Sequence, residues 1–270
     1  MVGAGVGYLG GLFGKGGSAI ATPFLALIGI PPIVAVAAPL PATIPGTLVA
    51  FARYRREGLA DGRVIRWSVA CGVPATIAGA VVTRWIGGAV LVTLTDAVVA
   101  VLGVRILLQR PTNPTLEHQR ASTHGNADGQ RSSVLTVASP GVRTESLVPS
   151  TVRLVVVAVV VGFLAGMLAN SGGFLLVPLY LAVLRLPIKQ SLACSLAVAA
   201  MLAIPGTIVH AALGHIDWTV AAVFGAASVP LSSLGARAAL RMDAARLERI
   251  YGAGLAILGI GLLAFATLGN

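Results

Sequence analysis

Six apolar stretches of about membrane-spanning length constrain this chain more than any other feature: Ile33 to Phe51, Trp67 to Val82, Ile86 to Leu108, Ile188 to Ala212, Trp218 to Ala236 and Ile250 to Leu268. A helix needs about 20 apolar residues to cross about 30 Å of hydrocarbon. Every backbone N–H and C=O must be satisfied internally there, and unbroken runs of this length do so as α-helices. Composition agrees: 56% of residues are hydrophobic and 10% charged, against about 25% charged in soluble domains. Disorder, a collagen-like repeat and a disulfide scaffold are excluded, because apolar residues dominate, glycine shows no period of three, and the only cysteines are Cys71 and Cys194. The net charge of +10 would suggest nucleic acid in a soluble protein. In a membrane protein it encodes orientation, since cytoplasmic loops collect Lys and Arg, and nucleic acid is not an expected partner. The N-terminus lacks the cationic start and cleavage site of a signal peptide, so the first apolar run is read as part of the mature fold.

Two further runs are long but interrupted. Val2 to Ile28 is broken by Gly14-Lys15-Gly16-Gly17-Ser18, and Val152 to Leu184 by Ala169-Asn170-Ser171-Gly172-Gly173. Between the halves, Gln109 to Thr151 is too poor in large apolar residues to offset the entropy of ordering. The chain therefore divides into a membrane unit over 1–108, a flexible cytoplasmic linker over 109–151 and a second membrane unit over 152–270. His118 and His124 of the linker lack any metal-ligand spacing and read as solvated surface. Neither a metal nor an organic cofactor is expected.

The two membrane units repeat one another. At an offset of 155, Gly7-Tyr8-Leu9-Gly10-Gly11-Leu12-Phe13 overlays Gly162-Phe163-Leu164-Ala165-Gly166-Met167-Leu168, Gly17 falls on Gly172, and Pro23 on Pro178. At 156, Gly58 and Asp61 fall on Gly214 and Asp217, Val73-Pro74 on Val229-Pro230, and Gly79 on Gly235. If the interrupted runs crossed the membrane, the basic residues would divide eleven against seven. If they are re-entrant hairpins, seventeen fall on one side and only Arg84 on the other, with Lys15 inside the membrane. The positive-inside rule selects the second arrangement. The expected fold is an all-α polytopic membrane protein of two inverted-topology repeats, each a broken or re-entrant helical hairpin plus three transmembrane helices, with both termini outside the plasma membrane. In such plans substrate binds near the midplane, between the repeats, at discontinuous helices.

Backbone that leaves the helix inside hydrocarbon must be buried in protein or line a wet cavity, so both glycine breaks should face inward. Half-helices beginning near Ser18 and Gly173 offer free N–H groups and the positive end of a dipole, which suits an anion. Lys15 adds a full charge, and an intramembrane cation is costly and usually functional. The expected binding residues are Gly14, Lys15, Gly16, Gly17, Ser18, Asn170, Ser171, Gly172 and Gly173. Pro39 and Pro41, which free carbonyls, and Cys194 and Ser195 of the other copy are candidates for lining the pathway. Gly3, Gly7 and Gly11, at four-residue spacing, instead suit close helix packing. Asp96 matches Gly252 near a helix start and reads as an interfacial N-cap. His210 and His215 fall at a helix end on the sparsely charged side, where loop hydrogen bonding is expected rather than catalysis. Small-residue faces serve internal packing and a homodimer equally well.

The run Gly162-Phe163-Leu164-Ala165-Gly166 through Gly172-Gly173-Phe174-Leu175-Leu176-Val177-Pro178, with the later Gly214-His215-Ile216-Asp217-Trp218, resembles the TauE/SafE family of anion exporters. The resemblance covers nearly the whole chain except the linker. It implies two four-segment repeats that export sulfite, a sulfonate such as sulfoacetate, or another small sulfur-containing or organic anion across the bacterial plasma membrane. It also places Gly14 to Ser18 and Asn170 to Gly173 at the family's motif positions. The sequence departs from the family pattern at Lys15, where an apolar residue is commonest, and at Ser18 and Ser171, where a third glycine is usual. A secondary transporter is thus expected, with a passive anion channel as the alternative. An intramembrane enzyme finds little support: there is no His-Glu-x-x-His, no Gly-x-Ser-x-Gly and no paired intramembrane carboxylates.

Overall fold

Every described element is an α-helix. The computed structural model describes residues 2–14, 21, 25, 29–30, 32–82, 151–167 and 172–268. The expected crossing from Ile86 to Leu108, with Asp96, lies outside the described residues, as does nearly all of the linker. In chain order the helices are α1 (Val2–Phe13), α2 (Pro32–Ala37), α3 (Pro39–Arg56), α4 (Gly62–Val82), α5 (Thr151–Met167), α6 (Gly173–Ala182), α7 (Ile188–Ala212), α8 (Trp218–Arg241) and α9 (Ala244–Leu268). Among the described residues α4, α7 and α8 are long and apolar enough to cross a membrane. The chain's described residues are those of a helical membrane protein.

Local chemistry sets the boundaries. Pro39, at the first position of α3, separates it from α2, since proline has no N–H to continue the preceding helix. At the end of α3, Gly58 takes a positive φ of 68° and closes a Schellman turn, with Leu59 N donating to Tyr54 O at 3.2 Å and Gly58 N to Arg55 O at 3.1 Å. Three residues on, Asp61 Oδ1 accepts the amides of Arg63 at 2.8 Å and Val64 at 3.2 Å, capping α4. The turn between α7 and α8 is built alike. Gly214 has φ 71°, His215 N donates to His210 O at 3.0 Å and Gly214 N to Ala211 O at 3.0 Å. Asp217 Oδ1 then accepts from Thr219 N at 2.8 Å and Val220 N at 3.1 Å.

Hydrogen bonds between helices gather the basic residues at one end of the bundle. Arg63 donates to Thr151 Oγ1 at 3.0 Å, Gln190 to Asp61 Oδ2 at 3.4 Å, Lys189 to Leu240 O at 3.3 Å, and Arg53 Nε to Ser233 Oγ at 3.0 Å. The end of α3, the starts of α4, α5 and α7, and the end of α8 therefore lie together. At the opposite end, Ala37, Ala221 and Ile216 form a small apolar cluster. Among the described residues that end carries no Lys or Arg.

Helix directions follow. α5 enters from the arginine-bearing end, and α6 returns toward it, because Tyr180 near the end of α6 donates to Ser68 Oγ in the second turn of α4 at 2.7 Å. α1 runs the other way, parallel to α8: Gly3 lies against Phe224 and Ala227, Gly7 against Ser228 and Gly11 against Ser232. On the far side α5 packs parallel to α4, with Gly162 against Gly72 and Gly166 against Thr76 and Ala80. A Cβ at Gly7, Gly11, Gly162 or Gly166 would fall on the partner's backbone, so the four-residue spacing does serve close packing. The core gathers on α7, whose Leu192, Cys194, Leu196, Val198 and Leu202 are buried.

Candidate functional site

Two interrupted segments approach the same helix. α1 ends at Gly14, whose φ of 64° lies in the left-handed region where a side chain costs energy. Its carbonyl accepts a hydrogen bond from Ser195 Oγ of α7 at 3.1 Å. A Cβ there would come within 2.7 Å of Leu192 and 2.8 Å of the Ser195 hydroxyl. On the other segment α5 ends at Met167 and α6 begins at Gly173, with Gly172 as its N-cap at φ 69°. Gly172 is packed beneath Val161 and Ala165 of α5 and faces Leu202 of α7. Seven to ten residues of α7 separate the two edges, which at 1.5 Å per residue is about 10 to 15 Å along its axis.

The α6 edge is a helix N-terminus. The amides of Leu175 and Leu176 both bond to Gly172 O, at 3.0 and 3.1 Å, so the amides of Gly173 and Phe174 precede the helix's first internal bond and mark the positive end of its dipole. Gly172 and Gly173 are buried. Lys15, Gly16, Gly17, Ser18, Asn170 and Ser171 lie outside the described residues.

The expected lining residues separate. Ser195 touches the first edge, as above. Cys194, one residue earlier, faces another way: its thiol lies 3.9 Å from Asp61 O at the start of α4, because adjacent residues on a helix point about 100° apart. Pro39 is buried and Pro41 half-buried on α3, and the Pro39 carbonyl accepts from Thr43 Oγ1 at 3.1 Å.

Beside Ser195 the structure holds a feature that the sequence reading missed. Thr43, Thr47, Ser228 and Ser232, with Gly7, Gly10 and Gly46, line a narrow, partly open cleft between α1, α3, α7 and α8. Each hydroxyl donates to a backbone carbonyl in this state: Thr43 to Pro39, Thr47 to Thr43 at 2.7 Å, Ser232 to Ser228 at 3.1 Å and to Gly7 at 3.2 Å, and Ser228 to Gly225 at 3.5 Å. Hydroxyl protons rotate, so these groups are able to turn to a passing solute. The available signal was a hydroxyl pair at i, i+4 spacing in each of two apolar helices.

Over residues 1–262 the sequence matches the family described as Sulfite exporter TauE/SafE. The chain belongs to that family. Two relatives from Xylella fastidiosa, each called a probable membrane transporter protein, are 26% (strain Temecula1) and 25% (strain 9a5c) identical, over 92% of this chain and 87% of theirs. No solved structure matches. As a TauE/SafE member the protein is a membrane transporter and not an enzyme.

Proposed function

We propose that this TauE/SafE protein is a secondary exporter of a small anion, sulfite or a sulfonate or a related sulfur-containing or organic anion. Its site lies between two oppositely directed units at the glycine breaks. The observation that carries the reading is that α1 and α5 run in opposite directions and that the segment edges at Gly14 and Gly172 both abut α7. The units are 1–108 and 152–270, joined by a cytoplasmic linker over 109–151. Matched contacts support an inverted repeat: Gly11 on Ser232 and Gly166 on Thr76, Gly235 on Tyr8 and Gly79 on Phe163 join positions that correspond in the two copies. Each interrupted segment is read as a re-entrant hairpin, so that the arginine-bearing end faces the cytoplasm and both termini face outside.

In this reading the α6 N-terminus and its partner near Ser18 hold the anion, with Lys15 supplying a full charge and Asn170 and Ser171 supplying donors. An inside-negative potential of 100 mV favours outward movement of one negative charge by about 2.3 kcal/mol. That suffices for export without ATP, and no Gly-x-x-x-x-Gly-Lys-Ser/Thr phosphate loop is present. Packing at both edges favours alternating access over an open channel: Gly14 is closed by Leu192 and Gly172 by Val161 and Leu202.

The test is a thermal-shift titration of the purified protein with sulfite, methanesulfonate, sulfate, acetate and chloride, beside the Lys15→Met variant, because a ligand that binds only folded protein raises its apparent stability. Sulfite or methanesulfonate should stabilise the native chain and not the variant, and uptake into inverted proteoliposomes should saturate. An unchanged shift in Lys15→Met overturns the role of Lys15, and flux linear in concentration overturns the exporter in favour of a channel.

A further inference from the structure

At the end of the bundle away from the arginines, two histidines face one another. His210, in the last turn of α7, is 1% exposed, and its Nδ1 lies 3.2 Å from Nδ1 of His215. The Schellman turn at Gly214 fixes the pair, since His215 N bonds to His210 O and the rings sit 5.5 Å apart, tilted by 40°. His210 Nε2 is buried with no well-aligned hydrogen-bond partner, and the backbone of Gly166, in the last turn of α5 just before the second break, lies within hydrogen-bonding reach of the ring.

We propose that His210 and His215 form a binding site for a single proton, and that the proton is the ion coupled to anion movement at the second break. The coupling half rests on the exporter reading; the site itself does not. With both rings neutral, one Nδ1–H donates to the other Nδ1, and the donating ring has a bare Nε2. With His210 as donor, that bare nitrogen is the unpartnered one. A proton binds there without breaking the pair, and the imidazolium gains a donor beside the Gly166 backbone in the last turn of α5, at the negative end of that helix's dipole. A second proton would have to occupy the shared lone pair, break the bond and set two like charges side by side, so the capacity is one.

The surroundings leave the proton as the ligand. Among the described residues no third His, Cys, Asp or Glu joins the pair to hold a metal ion. α3 presents Leu40 to this part of α7, α2 and α8 present Ala37 and Ala221 around Ile216, and α5 presents Gly166. Among the described residues Asp217 is the one other titratable group at this end, and its Oδ1 is engaged by the amides of Thr219 and Val220.

The experiment counts protons in the full chain, in nanodiscs, with His118→Gln and His124→Gln leaving two histidines. Histidine ¹⁵N shifts are followed from about pH 8 to about pH 5. One proton taken up per pair, shared between both rings, is expected, with His215→Gln converting His210 to a single-site titration; uptake of two protons, or of none, overturns the site. Methanesulfonate, whose charge is constant across this range, is then added. Its affinity should rise about 5-fold or more on protonation and lose that dependence in His210→Gln. If methanesulfonate binds with the same affinity at both pH values, the coupling is overturned. If neither it nor sulfite produces a thermal shift, the exporter reading fails and the coupling with it, while the proton count still decides the site.

Discussion

The turn joining α3 to α4 and the turn joining α7 to α8 have the same backbone and different chemistry. Gly58 and Gly214 both take a positive φ, of 68° and 71°. Leu59 and His215 both return an amide bond to the residue five before, and Asp61 and Asp217 both cap the next helix through one carboxylate oxygen. Where the first turn places Tyr54 and Leu59, the second places His210 and His215, at the same offset of 156. The first turn also lies among the arginines, and Gln190 reaches its Asp61. The second has no described Lys or Arg near it. The two turns therefore share hinge and cap while the ends of the bundle they occupy differ in charge.

The comparison extends to the glycine seams, where the largest effects are expected. Gly11→Leu should drive a side chain into the backbone at Ser232, and Gly166→Leu into the backbone at Thr76. Overpacking costs about 1–3 kcal/mol even where side chains can yield, and backbone yields less. Both variants should lose most of the monodisperse folded protein in detergent chromatography. Gly5→Leu, with nothing within 4 Å of its Cβ position, should fold as the native chain does. If only one of the two seam variants is lost, the halves are not packed as equivalents.

What the sequence could say of this architecture depended on whether the information was local. Ile188 to Ala212 was read as one crossing and is α7 with the same bounds, because an unbroken apolar run between Pro187 and Gly214 leaves no other boundary. α3 runs five residues past the expected Phe51, to Arg56: arginine is a good helix former, and hydropathy falls before the helix ends. Glycine at 14 and 172 signalled broken backbone, and both have left-handed dihedrals. Matching the two halves of the sequence showed which segments are alike in residues, but likeness does not reveal contact, and α1 packs on α8. Cys194 and Ser195 were read together and diverge, since neighbours on a helix face different partners. The hydroxyl-lined cleft escaped notice because Thr43, Thr47, Ser228 and Ser232 come from two helices distant in sequence.

A smaller and cleaner effect is expected at the two hinge glycines. Neither Gly58 nor Gly214 has an atom within 4 Å of its Cβ position, so Gly58→Ala and Gly214→Ala add left-handed strain and little else. That strain is about 1–2 kcal/mol per residue. Equilibrium unfolding in mixed micelles should give equal losses for the two, and the double variant should show their sum, since the sites are distant. A markedly larger loss at Gly214 would mean that the turn there carries energy its counterpart lacks, with the histidine pair as the source to examine.

The finest distinction concerns the two capping aspartates. Losing an N-cap carboxylate costs about 1 kcal/mol, and each of these accepts two amides with nearly the same lengths, 2.8 and 3.2 Å for Asp61 against 2.8 and 3.1 Å for Asp217. The caps alone therefore predict equal losses for Asp61→Ala and Asp217→Ala. Asp61 does more: its second oxygen accepts from Gln190 on α7 at 3.4 Å, a long bond worth at most about 0.5 kcal/mol net. Asp61→Ala should accordingly be the more destabilising by a few tenths of a kcal/mol, and the excess should vanish when Gln190→Ala is already present. If it persists there, the excess comes from the surrounding arginines, whose mutual repulsion the Asp61 charge relieves. Raising the salt concentration would then erase it, because exposed charges are screened over about 10 Å at 0.1 M, whereas a hydrogen bond from Gln190 is indifferent to salt.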